Sequence, residues 1–258
     1  LVRGRTGAVS ALMEEFIGDF SDELVPGGAK VEPMRIRMKP EWNVAKLQPM
    51  RRYAPTVEAA MQYELEAQLK LGIVESSEAE SGAPVHMVSK EESETGFRFC
   101  IDFKQINQLV EVEPYPLPTV QTILDSVGRS KYFAKLDLKS GYWQFPVAKE
   151  DRHKLAFQVQ SRVYQYTVAA MGHVQSSFHV QKVMHTVFFK VIGKGVYIYL
   201  DDIFIHAITF DNFVEVLRIV LHLLEEHALR CKPSKCEIGV KEITVLGHVV
   251  SADGIRMS

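Results

Sequence analysis

Asp201 and Asp202 stand side by side in VYIYLDDIFIHA (196–207), one of the most apolar stretches of this 258-residue chain. Burying a charge is costly unless it is paired or binds a metal. Taken alone, two acids at the tip of a hairpin make an ordinary turn, because Asp favours turns. Asp137 alters the balance. In KLDLKSGYWQ (135–144) it is flanked by Leu136 and Leu138, just before a Ser140-Gly141 break. If that strand lies beside the Asp-Asp hairpin, three carboxylates converge and repel one another unless a divalent cation is present. Oxygen-only ligation suits Mg²⁺ or Mn²⁺. Two such ions roughly 3.5–4 Å apart form a clamp for in-line phosphoryl transfer.

The elements around these acids can be read from periodicity. KYFAKLDL (131–138) alternates as a strand, and VYIYL and IFIHA are two strands meeting at the acids. In VYIYL, Val196, Ile198 and Leu200 take one face and Tyr197, Tyr199 and Asp201 the other. Helices are expected near 8–19, from a Thr56 cap to Lys70, over 119–127, from Ser176 to a stop at Gly193, and from an Asp211 cap to Leu229. Further strands are expected at 84–90 and 97–102 around the tip KEESETG, near 142–147, over 153–169 with a turn at Ser161-Arg162, and at 236–239 and 243–250. Strands and helices mix without a regular βαβ alternation, which predicts an α+β fold.

Hydrophobic content of 47% and charged content of 24% allow a packed core. The formal charge of −2 argues mildly against a nucleic-acid partner. One segment is basic, with Lys30, Arg35, Arg37, Lys39, Lys46, Arg51 and Arg52 against Glu32 and Glu41; its plainest reading is a solvated charged surface. Cys100, Cys231 and Cys236 suggest no disulfide framework and a reducing, intracellular compartment, cytoplasmic or nuclear. His222, His227, Cys231 and Cys236 match none of the common zinc spacings. No apolar run reaches about 18 residues, so no membrane span is expected.

Six blocks occur in order: RFCIDFKQIN (98–107), YPLP (115–118), KYFAKLDLKSGYWQ (131–144), YLDD (199–202), PSKCEIG (233–239) and VLGHVVSADGI (245–255). Together they resemble the reverse transcriptase of gypsy-type LTR retrotransposons and, more distantly, of retroviruses. The resemblance implies a right-hand polymerase with fingers and palm, an antiparallel palm sheet packed on helices, and no thumb within this chain. It implies an N-terminal arm over 1–55 and a polymerase core over 56–258 that ends near the primer-positioning turn. It also implies an RNA-directed DNA polymerase acting on an RNA or DNA template with primer and a dNTP, with thumb, connection and RNase H regions further along a polyprotein.

Residue by residue, Asp137, Asp201 and Asp202 match the family's catalytic, metal-binding triad, and the backbone carbonyl of Leu138 would be a further ligand. Tyr142 matches the aromatic gate against a 2′-hydroxyl. Lys90 and Arg98 match cations that bind the triphosphate. Met171 and Gly172 fall in the segment lining the nucleotide. Leu246, Gly247 and His248 match the turn that positions the primer end, and Lys235 is a candidate proton donor to pyrophosphate. Asp102, Lys104 and Asn107 match the fingers motif.

One block departs. Where the family carries a segment close to MPFGLTNAPATFQ, this chain has AAMGHVQSSFHVQ (169–181). Gly172 and Gln181 survive. Met171 replaces an aromatic, Ser177 the proline that starts the helix, Phe178 an alanine and Val180 a phenylalanine; Leu155 replaces a threonine. Two functions stay open: a working polymerase, or a catalytically weakened module of the same fold retained for binding or structure.

Overall fold

The computed structural model describes residues 7–44, 51–80, 82–91, 93–128 and 130–257. Lys46 of the basic segment, Glu92 of the KEESETG tip and the arm's residues 1–6 and 45–50 lie outside the described residues. In chain order the elements are α1 (Gly7–Glu15), α2 (Pro55–Leu71), β1 (Val74–Ser76), β2 (Ala83–Ser89), β3 (Phe97–Ile101), α3 (Lys104–Leu109), α4 (Val120–Val127), β4 (Tyr132–Asp137), β5 (Ala156–Val159) and β6 (Arg162–Tyr166). They continue with α5 (Val174–Val187), β7 (Val196–Tyr199), β8 (Asp202–Ala207), α6 (Phe210–Glu226), β9 (Glu237–Val240), β10 (Glu242–Val245), β11 (His248–Ser251) and β12 (Gly254–Met257). The mixed α+β architecture expected from the sequence is present.

Two compact units share these elements. The first takes the described residues up to Leu24, Tyr115–Gly141, and Val180 onward. Its centre is an antiparallel four-stranded sheet in the order β7-β8-β4-β9. In the β4–β8 ladder Asp137 lies directly opposite Asp202, and Lys135 opposite Phe204. Residues directly opposite share a face, so one face carries Tyr199, Asp202, Asp137, Lys135, Phe204 and Phe133. Away from the acids, Phe133 and Phe204 pack with Ile123, Leu124 and Val127 of α4 and with Ile243, Val245 and Val250 of the sheet β10-β11-β12. The other face is apolar, with Ala134, Leu136, Ile203 and Ile205 fully buried. Helix α6 packs against β8 and β4, setting Phe213 beside Tyr132. Its stripe of Phe213, Leu217, Val220, Leu221 and Leu224 is wholly buried, each side chain contributing about 1.5–3 kcal/mol. The charged end of the face is thus held on a rigid apolar base.

The second unit takes Val25–Pro114 and Tyr142–His179. Its sheet runs β1-β6-β5-β2-β3, and only the β2–β5 pair is parallel. Helix α2 packs on β1 and β3. The basic segment is largely tied to acids and carbonyls: Arg35 meets Glu150 at 2.8 Å, Arg37 meets Glu113 at 3.0 Å, Arg51 meets Asp102 at 3.0 Å, and Lys39 donates to the Gln108 carbonyl at 2.9 Å.

Several local expectations are corrected. Residues 142–147 are not a strand: Gly141–Gln144 form a 3₁₀ turn, and Lys149–Leu155 form another. The backbone groups nearby bond to other loops, as in Met34 N–H to the Pro146 carbonyl at 2.8 Å. The β5–β6 turn falls at Gln160-Ser161, one residue early, with Gln160 at φ 52°. Ala54 precedes α2 and Pro55 occupies its first turn, so Thr56 is not the cap. Thr209, not Asp211, caps α6 through the Asn212 N–H. Helix α5 begins at Val174, so Ser177 lies inside it and not at its start.

Candidate active site

The three acids are brought together at one end of the β7-β8-β4-β9 sheet. Asp137 ends β4, Asp202 begins β8 opposite it, and Asp201 occupies the two-residue turn between β7 and β8. The Leu138 N–H donates to the Asp201 carbonyl at 3.3 Å, joining the turn to the end of β4. Leu138 itself is buried. Two lysines face the acids: Lys235 Nζ is 3.6 Å from Asp137 Oδ2, and Lys135 Nζ is 3.4 Å from Asp202 Oδ2.

Burial raises the Asp201 carboxyl above the ordinary carboxylate value, and the Asp202 and Asp137 charges push it the same way. Burial also raises Asp202, with Asp137 adding to the effect and Lys135 opposing it. Among the described residues no three His, Cys, Asp or Glu side chains close into a ready ion cage. The chemistry of the set nevertheless fits a hard divalent cation: the donors are all oxygen, and they are desolvated and mutually repelling. Lys135 and Lys235 supply part of the positive charge that such a set calls for.

Three features that hold this site were not singled out by the sequence pattern. A Cβ on Gly141 would lie 2.6 Å from both Cβ and Oδ2 of Asp201, so only glycine fits there. Gln181, fully buried, accepts from the Leu200 N–H at 2.6 Å and donates to the Ile198 carbonyl at 3.2 Å, gripping the turn from both sides. Leu200 stands at φ 55°, a conformation strained for a leucine and common where function demands it. Lys135, two residues before Asp137, is the third. The survival of Gln181 in an otherwise altered segment and the glycine after the break were the available signals.

Leu246 and Gly247 form the two-residue turn between β10 and β11, both at positive φ, 47° and 83°, as a type I′ hairpin requires. His248 Nδ1 lies 3.2 Å from the Leu246 carbonyl oxygen.

The remaining candidates belong to the second unit. Lys90 opens the β2–β3 loop, closed by its N–H on the Gly96 carbonyl at 2.8 Å, and Arg98 is exposed on β3 opposite Val88. The Tyr142 hydroxyl is 2.9 Å from Ser177 Oγ, a bond that the family's proline could not make. Met171 is 68% exposed and Gly172 turns at φ 87°. Asn107 fixes this turn, donating to the Gly172 carbonyl and accepting from the Val174 N–H that starts α5, both at 2.9 Å. Asp102 accepts from the Lys104 N–H at 3.2 Å as well as from Arg51. Phe178 is half-buried. Earlier in the same segment, His173 and Ser176 are buried, and neither ring nitrogen of His173 nor Ser176 Oγ has a hydrogen-bond partner.

Residues 88–250 match the family model described as reverse transcriptase (RNA-dependent DNA polymerase). The chain belongs to the reverse transcriptase family. The reverse transcriptase blocks read from the sequence all begin or fall within that match apart from the last few residues of VLGHVVSADGI. Curated relatives include the Transposon Tf2-3 and Tf2-7 polyproteins of Schizosaccharomyces pombe, each 34% identical over 208 residues. The aligned region covers 80% of this chain but 16% of either polyprotein, so the chain spans about a sixth of those relatives. Among solved structures, the foamy viral protease-reverse transcriptase in complex with RNA/DNA hybrid superposes with a TM-score of 0.86 at 18% identity, covering 100% of this chain and 34% of that one. The foamy viral protein in complex with dsDNA gives 0.85 at 18% identity, over 100% and 54%. At that identity the likeness establishes the reverse transcriptase fold of fingers and palm.

Proposed function

We propose that this chain is the fingers-and-palm part of a retrotransposon RNA-directed DNA polymerase, transferring a dNMP from a dNTP to a primer 3′-hydroxyl on an RNA or DNA template. The observation that carries the reading is Asp137 directly opposite Asp202, with Asp201 in the adjoining turn against Gly141. Asp137 and Asp201, with the Leu138 carbonyl, would hold two Mg²⁺ or Mn²⁺ ions, and Asp202 would stand beside them. Bound there, such ions would lower the pKa of the primer hydroxyl and neutralise charge on the departing pyrophosphate. Lys235 begins paired with Asp137 and must leave it to donate a proton to pyrophosphate. Lys90 and Arg98 would bind the triphosphate, and Tyr142 would exclude a 2′-hydroxyl. Leu246, Gly247 and His248 would set the primer end. The working boundaries are an arm over 1–55 and a core over 56–258, acting inside the cell in cytoplasm or nucleus, with downstream polyprotein regions as partners.

The test is primer extension on poly(rA)/oligo(dT) with Mg²⁺ or Mn²⁺, using the chain with its downstream sequence attached. Extension abolished by Asp201→Asn is the expected result; extension that survives Asp201→Asn overturns the assignment. A second reading, a weakened copy kept as a binding module, is favoured by the unpartnered His173 and Ser176 and by the Ser177 hold on Tyr142. Absence of extension, with RNA binding unchanged by Asp201→Asn, would select it.

A further inference from the structure

Two thiols lie against the strand that carries Asp137. Cys231 is fully buried and Cys236 is 7% exposed, and their side chains are hydrogen-bonded to each other. The segment joining them is a tight turn. Pro233–Lys235 form one 3₁₀ turn, with the Lys235 N–H on the Lys232 carbonyl at 3.0 Å and the Cys236 N–H on the Pro233 carbonyl at 3.3 Å. That turn is stitched to the end of β4. Cys231 forms a bridge with Leu138, the Lys232 N–H donates to the Asp137 carbonyl at 2.9 Å, and Cys236 Sγ lies 4.0 Å from the same oxygen. Cys236 also lines an open cleft of about 570 Å³ together with Lys135, Asp137, Ser234 and Lys235. A single buried thiol packs as a small hydrophobe. A hydrogen-bonded pair, one member of which reaches a cleft beside a carboxylate, can also do chemistry.

We propose that Cys231 and Cys236 are a dithiol site for peroxide, forming a disulfide that clamps Lys235 onto Asp137. The Cys236 sulfur, reached from the cleft, attacks a peroxide oxygen; the O–O bond breaks, one water leaves and a sulfenic acid remains. The Cys231 sulfur then attacks the Cys236 sulfur, forming the S–S bond and expelling hydroxide, which takes the remaining thiol proton and leaves as a second water. Two thiols are oxidised and one peroxide is reduced to two waters. A disulfide requires the two sulfurs at about 2.05 Å, and the tight turn holds both residues against the end of β4. The product is a covalent ring around the turn that carries Lys235. Disulfide formation takes the Cys236 S–H away from the Asp137 carbonyl and restricts the turn, so the Lys235–Asp137 ion pair holds against an incoming divalent cation. That consequence rests on the polymerase reading; the disulfide itself does not.

The experiment treats the reduced chain with hydrogen peroxide and maps thiols by peptide mass spectrometry. A Cys231–Cys236 link, reversed by dithiothreitol and absent in Cys231→Ala and in Cys236→Ala, is expected; circular dichroism confirms that each variant is folded, and either one suffices. Peroxide that modifies Cys100 while leaving the 231–236 peptide reduced overturns the proposal. Mn²⁺ binding, followed by electron paramagnetic resonance, reads the coupling: oxidised chain should lose affinity that dithiothreitol restores, and unchanged affinity in the linked form overturns the clamp. Reduced chain that neither extends a primer nor binds Mn²⁺ sinks the polymerase reading, and the mass spectrum still decides the disulfide.

Discussion

At Gly141 and His173, adjacent side-chain sizes and hydrogen-bond partners decide what the site can tolerate. Gly141 leaves no room for a methyl group, because a Cβ would meet Asp201 at 2.6 Å. Gly141→Ala should therefore displace the Asp201 carboxylate and reduce primer extension by about a hundredfold, the usual consequence of a 1 Å misplacement. A variant with wild-type extension would show that Asp201 need not sit where it does. His173 presents the opposite case. It stands edge-on to Phe103, with ring centroids 5.5 Å apart and both nitrogens unpaired. Burial pushes its pKa down to about 4, so the ring is neutral at physiological pH. The family segment has leucine there. His173→Leu removes two unsatisfied polar atoms at similar volume and should raise stability by about 1–3 kcal/mol. Urea denaturation reads this directly, and a destabilised variant would mean that the imidazole has a role the packing does not reveal.

Among the elements, the β7–β8 hairpin illustrates what positions the acids. Its turn holds Leu200 in a left-handed conformation, and Gln181 of α5 binds both Ile198 and Leu200. Gln181→Leu keeps the helix but strands a part-buried N–H and a buried carbonyl, so a loss of about 1–3 kcal/mol is expected, with weaker Mn²⁺ binding. An unchanged melting temperature and unchanged Mn²⁺ affinity would remove Gln181 from the positioning machinery. Much of this framework was legible beforehand. The period-2 alternation of KYFAKLDL and VYIYL specified β4 and β7, and the ordered blocks specified which acids meet. The lone acid in β4 was the decisive signal, since a buried carboxylate in a strand needs a partner. Residues 142–147 were not legible, because an apolar run such as YWQFPV reads as a strand but here forms a 3₁₀ turn at 141–144 and then bonds its backbone to distant loops. Capping was misread at Thr56 and Asp211 because neighbouring residues, Pro55 and Thr209, compete for the same positions. The lysine pairs were invisible, since a diagonal contact such as Lys135–Asp202 depends on strand register.

At the scale of the whole molecule, the near-zero net charge conceals a dense set of internal ion pairs, and one of them links the basic segment to the rest of its unit. Asp151 is buried, accepting from the Ile36 N–H and Arg35 Nε at 3.0 Å and from Lys154 Nζ at 2.6 Å. Burial pushes its carboxyl up, but the Lys154 and Ile36 hydrogen bonds outweigh it and the net shift is downward from 3.8. Protonation then favours the unfolded chain. The stabilisation is complete above pH 3.8 and disappears as pH falls through the lower folded value. Asp151→Asn should lower stability at neutral pH and flatten the acid limb of a plot of melting temperature against pH; a limb of unchanged slope would assign acid sensitivity elsewhere. The strand order carries a different implication, for synthesis on the ribosome. Strand β4, at 132–137, pairs with β8 at 202–207 and β9 at 237–240. During translation Asp137 emerges long before either neighbour exists, so the strand must wait as an unpaired, aggregation-prone edge until about 70 further residues have completed β8, and one side stays open until about a hundred have completed β9. The three acids are therefore assembled only after β8 has been made, and a ribosome stalled before residue 200 would expose a β4 with neither sheet neighbour to pair with.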